Sequence, residues 1–410
     1  MKILLYGINF SPEVVGIGKY TGEMASWLAA QGHEVRVITA PPYYPAWKVG
    51  EGFSAARYSR SVVGGVTVFR APLWVPARVS GAKRLLHLLS FAMFSFPTLF
   101  AQWRWRPDVV WVVAPALTCA PGAWLFARLR GAKAWLHIQD FEVDAAFDLG
   151  ILKGAALRRM VLGAERWLLR RFDRVSTISS RMLDRLAAKG VDTTQVVSFP
   201  NWVDIAAVQP LQTVSVYRAE LGLDASTIVA LYSGNMGNKQ GLEVLGDCAR
   251  LLLDDEHIVF VFCGDGPGKE ALAAQCDGLR NVRLLPLQPV ARLNELLALA
   301  DIHLLPQRAD AADLVMPSKL TGMLASGRPV VATAPPETEL ARVVDGCGVV
   351  VLPEDAAALA IAVSALAADK PLRAALGAQG RKFAERELDS DAVLRRFEAE
   401  LLSLVAGTAR

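Results

Sequence analysis

The chain has 410 residues, of which 53% are hydrophobic and 20% are charged, and this balance excludes a disordered protein. The length predicts two domains of about 200 residues each, because single hydrophobic cores rarely grow larger. The 44 basic and 40 acidic residues leave a net charge of only +4, so we expect no nucleic-acid partner.

The cysteines and histidines indicate neither disulfide bonds nor a metal site. The five cysteines stand singly in apolar or helical settings without a C-x-x-C pair, as is typical of reduced core residues in a cytosolic protein. The five histidines are far apart and lack the spacing of zinc ligands, so we expect no metal and no cofactor. Residues 2–6 have a strand pattern without the features of a secretory leader, and we therefore expect a cytoplasmic protein.

The first half of the chain alternates strand and helix patterns. A strand at 3–6, a glycine-rich loop at 9–18, a helix at about 19–31 and a strand at 34–39 form one predicted β-α-β unit. Further strands are predicted at 66–70, 109–113, 134–138, 174–178 and 195–198. Alternation of this kind predicts a parallel sheet with helices on both faces.

A nearly unbroken apolar stretch covers residues 85–100 and leaves two interpretations open. It is shorter than the about 20 residues that a membrane-spanning helix needs. The stretch could lie on a lipid surface, where tryptophan rings and basic side chains reach the headgroups. It could equally be a buried helix of the first domain. The residues that favour lipid contact follow it directly and are Trp103, Arg104, Trp105 and Arg106.

The segment 200–226 contains two prolines among small and polar residues, and we place the hinge between two domains there. After it, strands are predicted at 228–232, 258–263, 282–285, 302–305, 329–332 and 348–351, and helices at 242–253, 268–276, 291–299 and 319–325. We expect an α/β protein with two doubly wound Rossmann-like domains, at 1–205 and 206–385, facing a central cleft. A last helix within 386–410 could pack back on the first domain.

The turn at residues 233–241 follows a predicted strand and carries Gly234, Gly237 and Gly241. Glycines let the backbone approach an anion closely, and the N–H groups at the start of the next helix face it. A strand-to-helix turn that binds nothing can be equally rich in glycine. The turn alone therefore leaves phosphate binding open.

Several further motifs occur in order along the chain. They are Gly16 with Gly18, and the runs 31–35, 176–180, 199–204, 263–267, 300–306 and 327–331. In this order they resemble the retaining nucleotide-sugar glycosyltransferases of family 4, which have the GT-B fold, over nearly the whole chain. The run at 309–321 is most similar to the branch of colanic-acid-type exopolysaccharide enzymes described as fucosyltransferases.

The resemblance implies a site that stabilises the charge growing on a leaving diphosphate. The family's Arg and Lys in the phosphate turn are replaced here by Asn235 and Gln240, and Lys239 stands one position early. We therefore expect the turn to offer backbone N–H groups and amides, and Lys319 to supply the missing cation. Ser318 would cap the helix that begins there. The alternative is a solvated lysine in the first turn of a surface helix.

Two glutamates of the resembled family are also absent, because their positions hold Leu314 and Gly322. Asp313 is the nearest carboxylate to contact the donor sugar, although it could be a loop residue facing water. Glu339 falls in a segment that could reach the nucleotide, but an acid in the first turn of a helix has the same explanation without a ligand.

The nucleotide is expected against Gly264, Asp265 and Gly266 and the turn around Leu287. Guanine and uracil both pair with backbone groups at this turn in related enzymes. The donor base therefore stays open.

The first domain is expected to bind the acceptor. Gly16 and Gly18 resemble the loop that closes over the donor phosphates, although an ordinary first β-α turn has the same glycines. Asp140 and Glu142 follow a predicted strand, at the sheet edge where ligands collect, and could orient an acceptor hydroxyl and take its proton. A structural carboxylate that caps the next segment is the alternative. His137 lies within an apolar run, and we expect it to be a core residue.

The resemblance therefore implies retaining transfer of a sugar from a nucleotide diphosphate donor, first of all GDP-fucose, to a lipid-diphosphate-linked acceptor. The enzyme would act peripherally at the inner face of the cytoplasmic membrane. One alternative is a nucleotide-sugar epimerase of the same fold, which needs no acceptor. Another is a noncatalytic membrane scaffold, which the missing charged residues suggest.

Overall fold

A computed structural model of the chain describes residues 1–14, 16–78, 80–148, 154–211, 213–237, 240–309 and 317–407. The chain divides into two compact units. The first unit contains Met1–Pro200 and Leu394–Arg410, and the second contains Asn201–Val393. Each unit is built around its own β-sheet.

The first unit contains an eight-stranded sheet in the order β3-β4-β2-β1-β5-β6-β7-β8. The strands are β1 (Lys2–Tyr6), β2 (Glu34–Thr39), β3 (Ser59–Val63), β4 (Val66–Arg70), β5 (Val109–Ala114), β6 (Lys133–Ile138), β7 (Arg174–Thr177) and β8 (Val196–Ser198). All pair in parallel except β3, which runs antiparallel to β4 at the edge. The strand order reverses between β1 and β5, and ligands of doubly wound folds bind at the carboxyl edge of such a point.

The continuous apolar runs of the central strands follow from burial on both faces. Every residue of β5 is buried. The predicted parallel sheet is thus confirmed, whereas β3 was not predicted. All five of its residues are exposed, so it lacks the buried run by which the other strands are recognised.

The helices of the first unit are α1 (Gly16–Ala30), α2 (Gly81–Ala101), α3 (Ala120–Arg130), α4 (Glu142–Asp148), α5 (Ala155–Leu169), α6 (Ser180–Ala188) and the last helix, α15 (Ser390–Ala406). The last helix joins the core of this unit through Phe397. Its ring lies 5.1 Å from the ring of Trp135 and 4.3 Å from that of Phe199. A hydrogen bond of 2.7 Å between His33 Nε2 and Glu398 Oε1 connects the same helix to the segment before β2.

The second unit contains a six-stranded, wholly parallel sheet in the order β11-β10-β9-β12-β13-β14. The strands are β9 (Ile228–Asn235), β10 (Ile258–Asp265), β11 (Val282–Leu285), β12 (Ile302–Leu305), β13 (Val330–Thr333) and β14 (Gly348–Val351). The order reverses between β9 and β12. A ligand site is therefore expected at the carboxyl ends of these two strands.

The helices of the second unit are α7 (Val216–Glu220), α8 (Glu243–Leu251), α9 (Lys269–Gln275), α10 (Leu293–Leu299), α11 (Lys319–Ala325), α12 (Glu339–Val344), α13 (Ala356–Ala368) and α14 (Lys370–Phe383). One apolar cluster packs α8 and α13 on one face of the sheet, with Phe260 and Phe262 of β10 fully buried in it. Both units are therefore Rossmann-like α/β domains, as the sequence predicted.

Candidate active site

The glycine turn of the second unit begins at the carboxyl end of β9, where the strand order reverses. Gly234 has a φ of +124°, a conformation that side-chain-bearing residues rarely adopt. A Cβ atom built on it would lie 3.3 Å from Cε and 3.4 Å from Nζ of Lys319. The first glycine of the turn and the predicted cation are therefore in contact, although Lys319 belongs to α11.

The ammonium group of Lys319 is held by an aromatic side chain of β9. Nζ donates a hydrogen bond of 2.9 Å to Tyr232 Oη and lies 4.2 Å from the centroid of the same ring. Burial among protein atoms lowers the pKa of Lys319 to about 7, while the residue keeps part of its surface exposed. Lys319 is thus no ordinary solvated surface lysine, and an anion that bound here would favour its charged form.

Two amide side chains lie in the described part of the glycine turn, those of Asn235 and Gln240. A Cβ on Gly237 would meet Gln240 Oε1 at 2.9 Å and Asn235 Nδ2 at 3.2 Å, so both amides flank this glycine. Gln240 Oε1 is buried without a hydrogen-bond partner among the described residues. Lys239 lies outside the described residues, as does Asp313.

Two glycines of the neighbouring strand end have a packing role. A side chain on Gly264 would overlap the carbonyl oxygen of Gly234, and one on Gly266 would come within 2.7 Å of the Met236 carbonyl oxygen. The two strand ends also share a hydrogen bond of 2.8 Å from the Met236 N–H to the Asp265 carbonyl oxygen. These glycines bring β10 close to the turn, and their contact with a nucleotide stays a prediction.

The expected cap at the start of α11 is wrong. The Ser318 side chain makes no capping hydrogen bond, because the residue already has helical backbone angles. Its carbonyl oxygen instead accepts a bond of 2.9 Å from Thr321 Oγ1. Lys319 is therefore positioned by Tyr232 and not by a capped helix end.

The remaining nucleotide candidates lie at other ends of the same sheet. Leu287 is exposed after β11. Glu339 is buried in the first turn of α12, and the helix is capped by Thr338, whose Oγ1 accepts a hydrogen bond from the Ala341 N–H. The Glu339 carboxylate forms an ion pair with Arg342 at 2.5 Å. This pairing fits the structural explanation of Glu339, and its nucleotide contact stays a prediction.

Arg308 is a charged residue near the glycine turn that the sequence did not single out. It follows β12, and a Cβ on Gly241 would lie 3.0 Å from its Cγ. Its guanidinium pairs with Glu243 of α8 at 2.9 Å. The sequence indicated a site residue only through its position after a strand at the order reversal. Arginines after buried strands are too common for this position alone to identify one as a site residue.

The first unit has a buried polar cluster at the carboxyl end of β1. Glu13 Oε1 accepts the N–H groups of Tyr43 and Tyr44 at 3.0 Å each, and Oε2 accepts Asn9 Nδ2 at 2.9 Å. Burial raises the pKa of Glu13. Gly18 packs directly on this carboxylate, since a Cβ there would come within 2.5 Å of Oε2.

The predicted glycine loop before α1 is shorter than expected. The helix begins at Gly16, so Gly16 and Gly18 both lie in its first turn and not in a loop that precedes it. Gly16 has a φ of +59°. A helix start at Lys19 was predicted because two glycines in one turn are typical of a loop.

Asp140 and Glu142 follow β6 and lie near the order reversal of the first sheet. Glu142 Oε2 accepts the N–H groups of Ala116 and Leu117 at 2.9 and 2.7 Å, which fixes the segment after β5. Glu142 Oε1 is buried without a hydrogen-bond partner among the described residues. Burial raises the pKa of Glu142, and two backbone hydrogen bonds and Arg84 act in the opposite direction. One oxygen of Glu142 is thus structural, and the acceptor roles of both residues stay predictions.

His137 is a core residue, as predicted. Its Nδ1 lies 2.9 Å from Ser176 Oγ, and its ring stacks on Trp111 with the centroids 5.3 Å apart. Burial lowers its pKa to about 3. The neutral imidazole is therefore satisfied inside the sheet and is not positioned as a base.

Helix α2 contains the apolar stretch and combines the two interpretations. It has 21 residues, more than predicted, and by length and apolar character it could cross a membrane. One face packs on the unit, where Ser95 Oγ lies 2.5 Å from Tyr6 Oη and His87 Nδ1 lies 2.6 Å from the Trp74 carbonyl oxygen. The opposite face exposes Leu85, Leu86, Leu89, Met93, Phe94 and Phe96.

The two tryptophans after α2 differ. Trp103 is exposed, with the Arg130 guanidinium 4.5 Å from its ring, and Arg104 and Arg106 are exposed as well. Trp105 is buried and donates from Nε1 to Glu34 Oε1 at 2.5 Å. Its expected place at a membrane surface is therefore wrong, because the indole packs inside the unit.

Known protein families match both units. The family described as "Glycosyl transferase 4-like domain" matches residues 15–202, and the family described as "Glycosyl transferases group 1" matches residues 227–369. The putative colanic acid biosynthesis glycosyl transferase WcaI of Escherichia coli (strain K12) is 49% identical over 408 residues, covering 97% of this chain and 98% of that protein.

Solved structures show the same fold at low sequence identity. Sucrose-phosphate synthase from Thermosynechococcus elongatus has a TM-score of 0.76 at 17% identity, covering 99% of this chain and 100% of that one. Anabaena HepE, solved in complex with UDP and glucose, has a TM-score of 0.69 at 16% identity, covering 98% of this chain and 100% of that one. The chain therefore belongs to the group 1 glycosyltransferases, with a glycosyl transferase 4-like amino-terminal domain and the GT-B fold, and is a transferase enzyme.

Proposed function

We propose that this enzyme transfers a sugar, with retention at the anomeric carbon, from a nucleotide diphosphate donor to a lipid-diphosphate-linked acceptor. The process would be the assembly of a colanic-acid-type exopolysaccharide at the inner face of the cytoplasmic membrane. GDP-fucose is the first candidate donor. The 49% identity to WcaI, whose name places that protein in colanic acid biosynthesis, supports the pathway.

The observation that carries the proposal is the contact between Lys319 and Gly234. Glycosyl transfer breaks the bond between the anomeric carbon and a phosphate oxygen, so negative charge grows on the departing diphosphate. A fixed cation beside backbone N–H groups stabilises that charge in the transition state more than in the substrate. Lys319 supplies the cation, and the turn after Gly234 supplies the close backbone approach.

Relatives support a nucleotide donor. HepE was solved with UDP and glucose, and another HepE structure was solved with UDP-glucose. The amides of Asn235 and Gln240 flank Gly237 in the turn. We infer that these neutral groups add hydrogen bonds to the phosphates while Lys319 provides the charge.

The acceptor is proposed to bind the first unit, where Asp140 would orient its hydroxyl and take its proton. The carboxylate follows β6 beside the order reversal of the sheet. Its neighbour Glu142 keeps the segment after β5 in place through two backbone hydrogen bonds.

The exposed face of α2 supports work at a membrane surface. Exposed basic residues lie on both sides of these apolar side chains, with Arg78 and Lys83 before Leu85 and Arg104 and Arg106 after Phe96. An apolar face with basic flanks is typical of segments that lie in the interface of an anionic bilayer. A lipid-linked acceptor would be reached from that surface.

The proposal is tested by incubating the purified enzyme with a panel of GDP and UDP sugars and a lipid-diphosphate-linked saccharide. We expect nucleotide release from one donor, dependent on the acceptor, and a product that keeps the anomeric configuration of the donor. Release that needs no acceptor, with formation of an epimer of the donor sugar, would contradict the proposal. Absence of binding to every nucleotide tested would contradict it as well.

A further inference from the structure

Tyr232 is a fully buried tyrosine whose hydroxyl group stands between two parts of the donor site. It lies on β9, two residues before Gly234. Its Oη accepts a hydrogen bond of 2.9 Å from Lys319 Nζ and donates one of 2.6 Å to the Asn235 carbonyl oxygen. A single oxygen thus connects the cation to the end of the strand from which the glycine turn begins.

The directions of these two bonds are fixed by chemistry when Lys319 is charged. An ammonium group has three protons and accepts nothing, and a carbonyl oxygen donates nothing. The one hydroxyl proton therefore goes to Asn235, and an oxygen lone pair faces Lys319. Lys319 can only donate to the hydroxyl, and the Asn235 carbonyl oxygen can only accept from it. The two hydrogen bonds together therefore restrain the positions of the ammonium group, the hydroxyl group and the carbonyl group.

The aromatic ring adds a second restraint on the same cation. Nζ lies 4.2 Å from the ring centroid, within the range of an attractive contact between a cation and an aromatic face. Among the described residues, the hydrogen-bond acceptor of Lys319 Nζ is Tyr232 Oη. A ligand beside the backbone of Gly234 could accept a hydrogen bond from another of the ammonium protons, for which the described part of the chain provides no acceptor.

We propose that Tyr232 is a positioning residue for binding of the donor diphosphate. Its hydroxyl group holds the Lys319 ammonium group at the glycine turn. The inference rests on the proposed function, because it assumes that the diphosphate binds at this turn. In this role the hydroxyl acts on the diphosphate through Lys319, and its bond to the Asn235 carbonyl oxygen fixes the hydroxyl itself. Tyr232→Phe keeps the ring and the core packing, and removes the hydroxyl group with its bonds to Lys319 and to the Asn235 carbonyl oxygen.

The test is a double-mutant cycle on nucleotide affinity, measured by calorimetry with GDP and UDP. The proteins are the parent, Tyr232→Phe, Lys319→Met and the double variant. Ser326→Ala is the control, since it removes another buried hydroxyl of the same unit, which lies 3.0 Å from His303 Nε2. Melting temperatures are recorded for all five proteins, and we expect each to fold.

We expect Tyr232→Phe to weaken binding about tenfold, as for loss of a hydrogen bond to a charged group, and Ser326→Ala to leave binding within about twofold. In the Lys319→Met background, Tyr232→Phe should weaken binding much less, because no ammonium group remains to be positioned and only the bond to the Asn235 carbonyl oxygen is lost.

A tyrosine with a merely structural role would give a different cycle. Tyr232→Phe would then weaken binding equally in both backgrounds, or leave it unchanged in both, and either result would overturn the inference while the proposed function stood. If the parent bound neither nucleotide, the proposed function itself would fail, and the inference with it.

Discussion

Lys319 lies against Gly234, so that a side chain at position 234 would require the lysine to move by a few tenths of an ångström. A Cβ atom at this position would come within 3.3 Å of Lys319 Cε. Two features therefore favour glycine at position 234, its backbone conformation and the space that the Lys319 side chain occupies.

We expect Gly234→Ala to weaken nucleotide binding and to destabilise the second unit by about 1–3 kcal/mol through backbone strain. Gly278→Ala is the matched control, because Gly278 has a φ of +77° and no atom within 4 Å of a built Cβ. It should reduce the melting temperature while leaving nucleotide affinity unchanged. Equal affinity losses in the two variants would show that lower stability, and not a change at the glycine turn, is responsible.

The affinity for nucleotide should fall as the pH rises. Burial lowers the pKa of Lys319 to about 7 in the free enzyme, and a bound diphosphate must raise it. Above the free-enzyme pKa the lysine is neutral and takes up a proton on binding. Affinity is therefore highest below that pKa and declines until the pKa of the bound state is reached.

Calorimetry with GDP and UDP between about pH 7.5 and 9.5 measures this dependence, above the second phosphate ionisation at about 6. Lys319→Arg is the control, because an arginine stays charged throughout this range. We expect a decline in the parent and a flat profile in Lys319→Arg. Identical slopes in both proteins would mean that another group titrates.

Glu142 should be more important for stability than its expected acceptor role suggests. Glu142→Ala leaves the N–H groups of Ala116 and Leu117 without their acceptor and should cost about 1–3 kcal/mol. Glu142→Gln keeps one carbonyl oxygen as an acceptor, and we expect a smaller loss. Thermal unfolding of the two variants is the measurement. Equal losses would show that the two backbone hydrogen bonds contribute little.

The exposed face of α2 should decide membrane association. Leu86→Ser with Met93→Ser removes two exposed apolar side chains, and we expect less protein to sediment with vesicles of phosphatidylglycerol and phosphatidylethanolamine. Leu352→Ser with Ile361→Ser is the control pair, since both are exposed apolar residues of the second unit. The α2 interpretation would be wrong if the two pairs sedimented alike.

The sequence was sufficient to predict most of the two sheets. Buried parallel strands such as Val109–Ala114 are continuous apolar runs, and such runs are recognisable without a structure. The edge strand Ser59–Val63 was missed because its exposed residues are held by pairing with β4 and not by burial. Predicting this strand would have required knowing that it pairs with β4.

Side-chain partners distant in sequence limited the prediction of the site. Trp105 was placed at a membrane surface from its neighbouring arginines, but Glu34 binds its indole from 71 positions away. Lys319 was predicted to lie at the glycine turn and does lie against Gly234, while its role as the cation for a diphosphate stays a prediction. Tyr232 was taken for an ordinary strand residue, because its partner lies 87 positions later.

The most direct test of the account compares nucleotide release by Lys319→Met with that by Lys370→Met, in the presence of donor and acceptor. Both lysines are the first residue of a helix in the second unit, but Lys370 is exposed on α14. We expect Lys319→Met to be slower than the parent by about two to three orders of magnitude, as for other losses of transition-state charge stabilisation, and Lys370→Met to match the parent. Turnover by Lys319→Met within a few fold of the parent would contradict the assignment of the diphosphate to this lysine and the glycine turn.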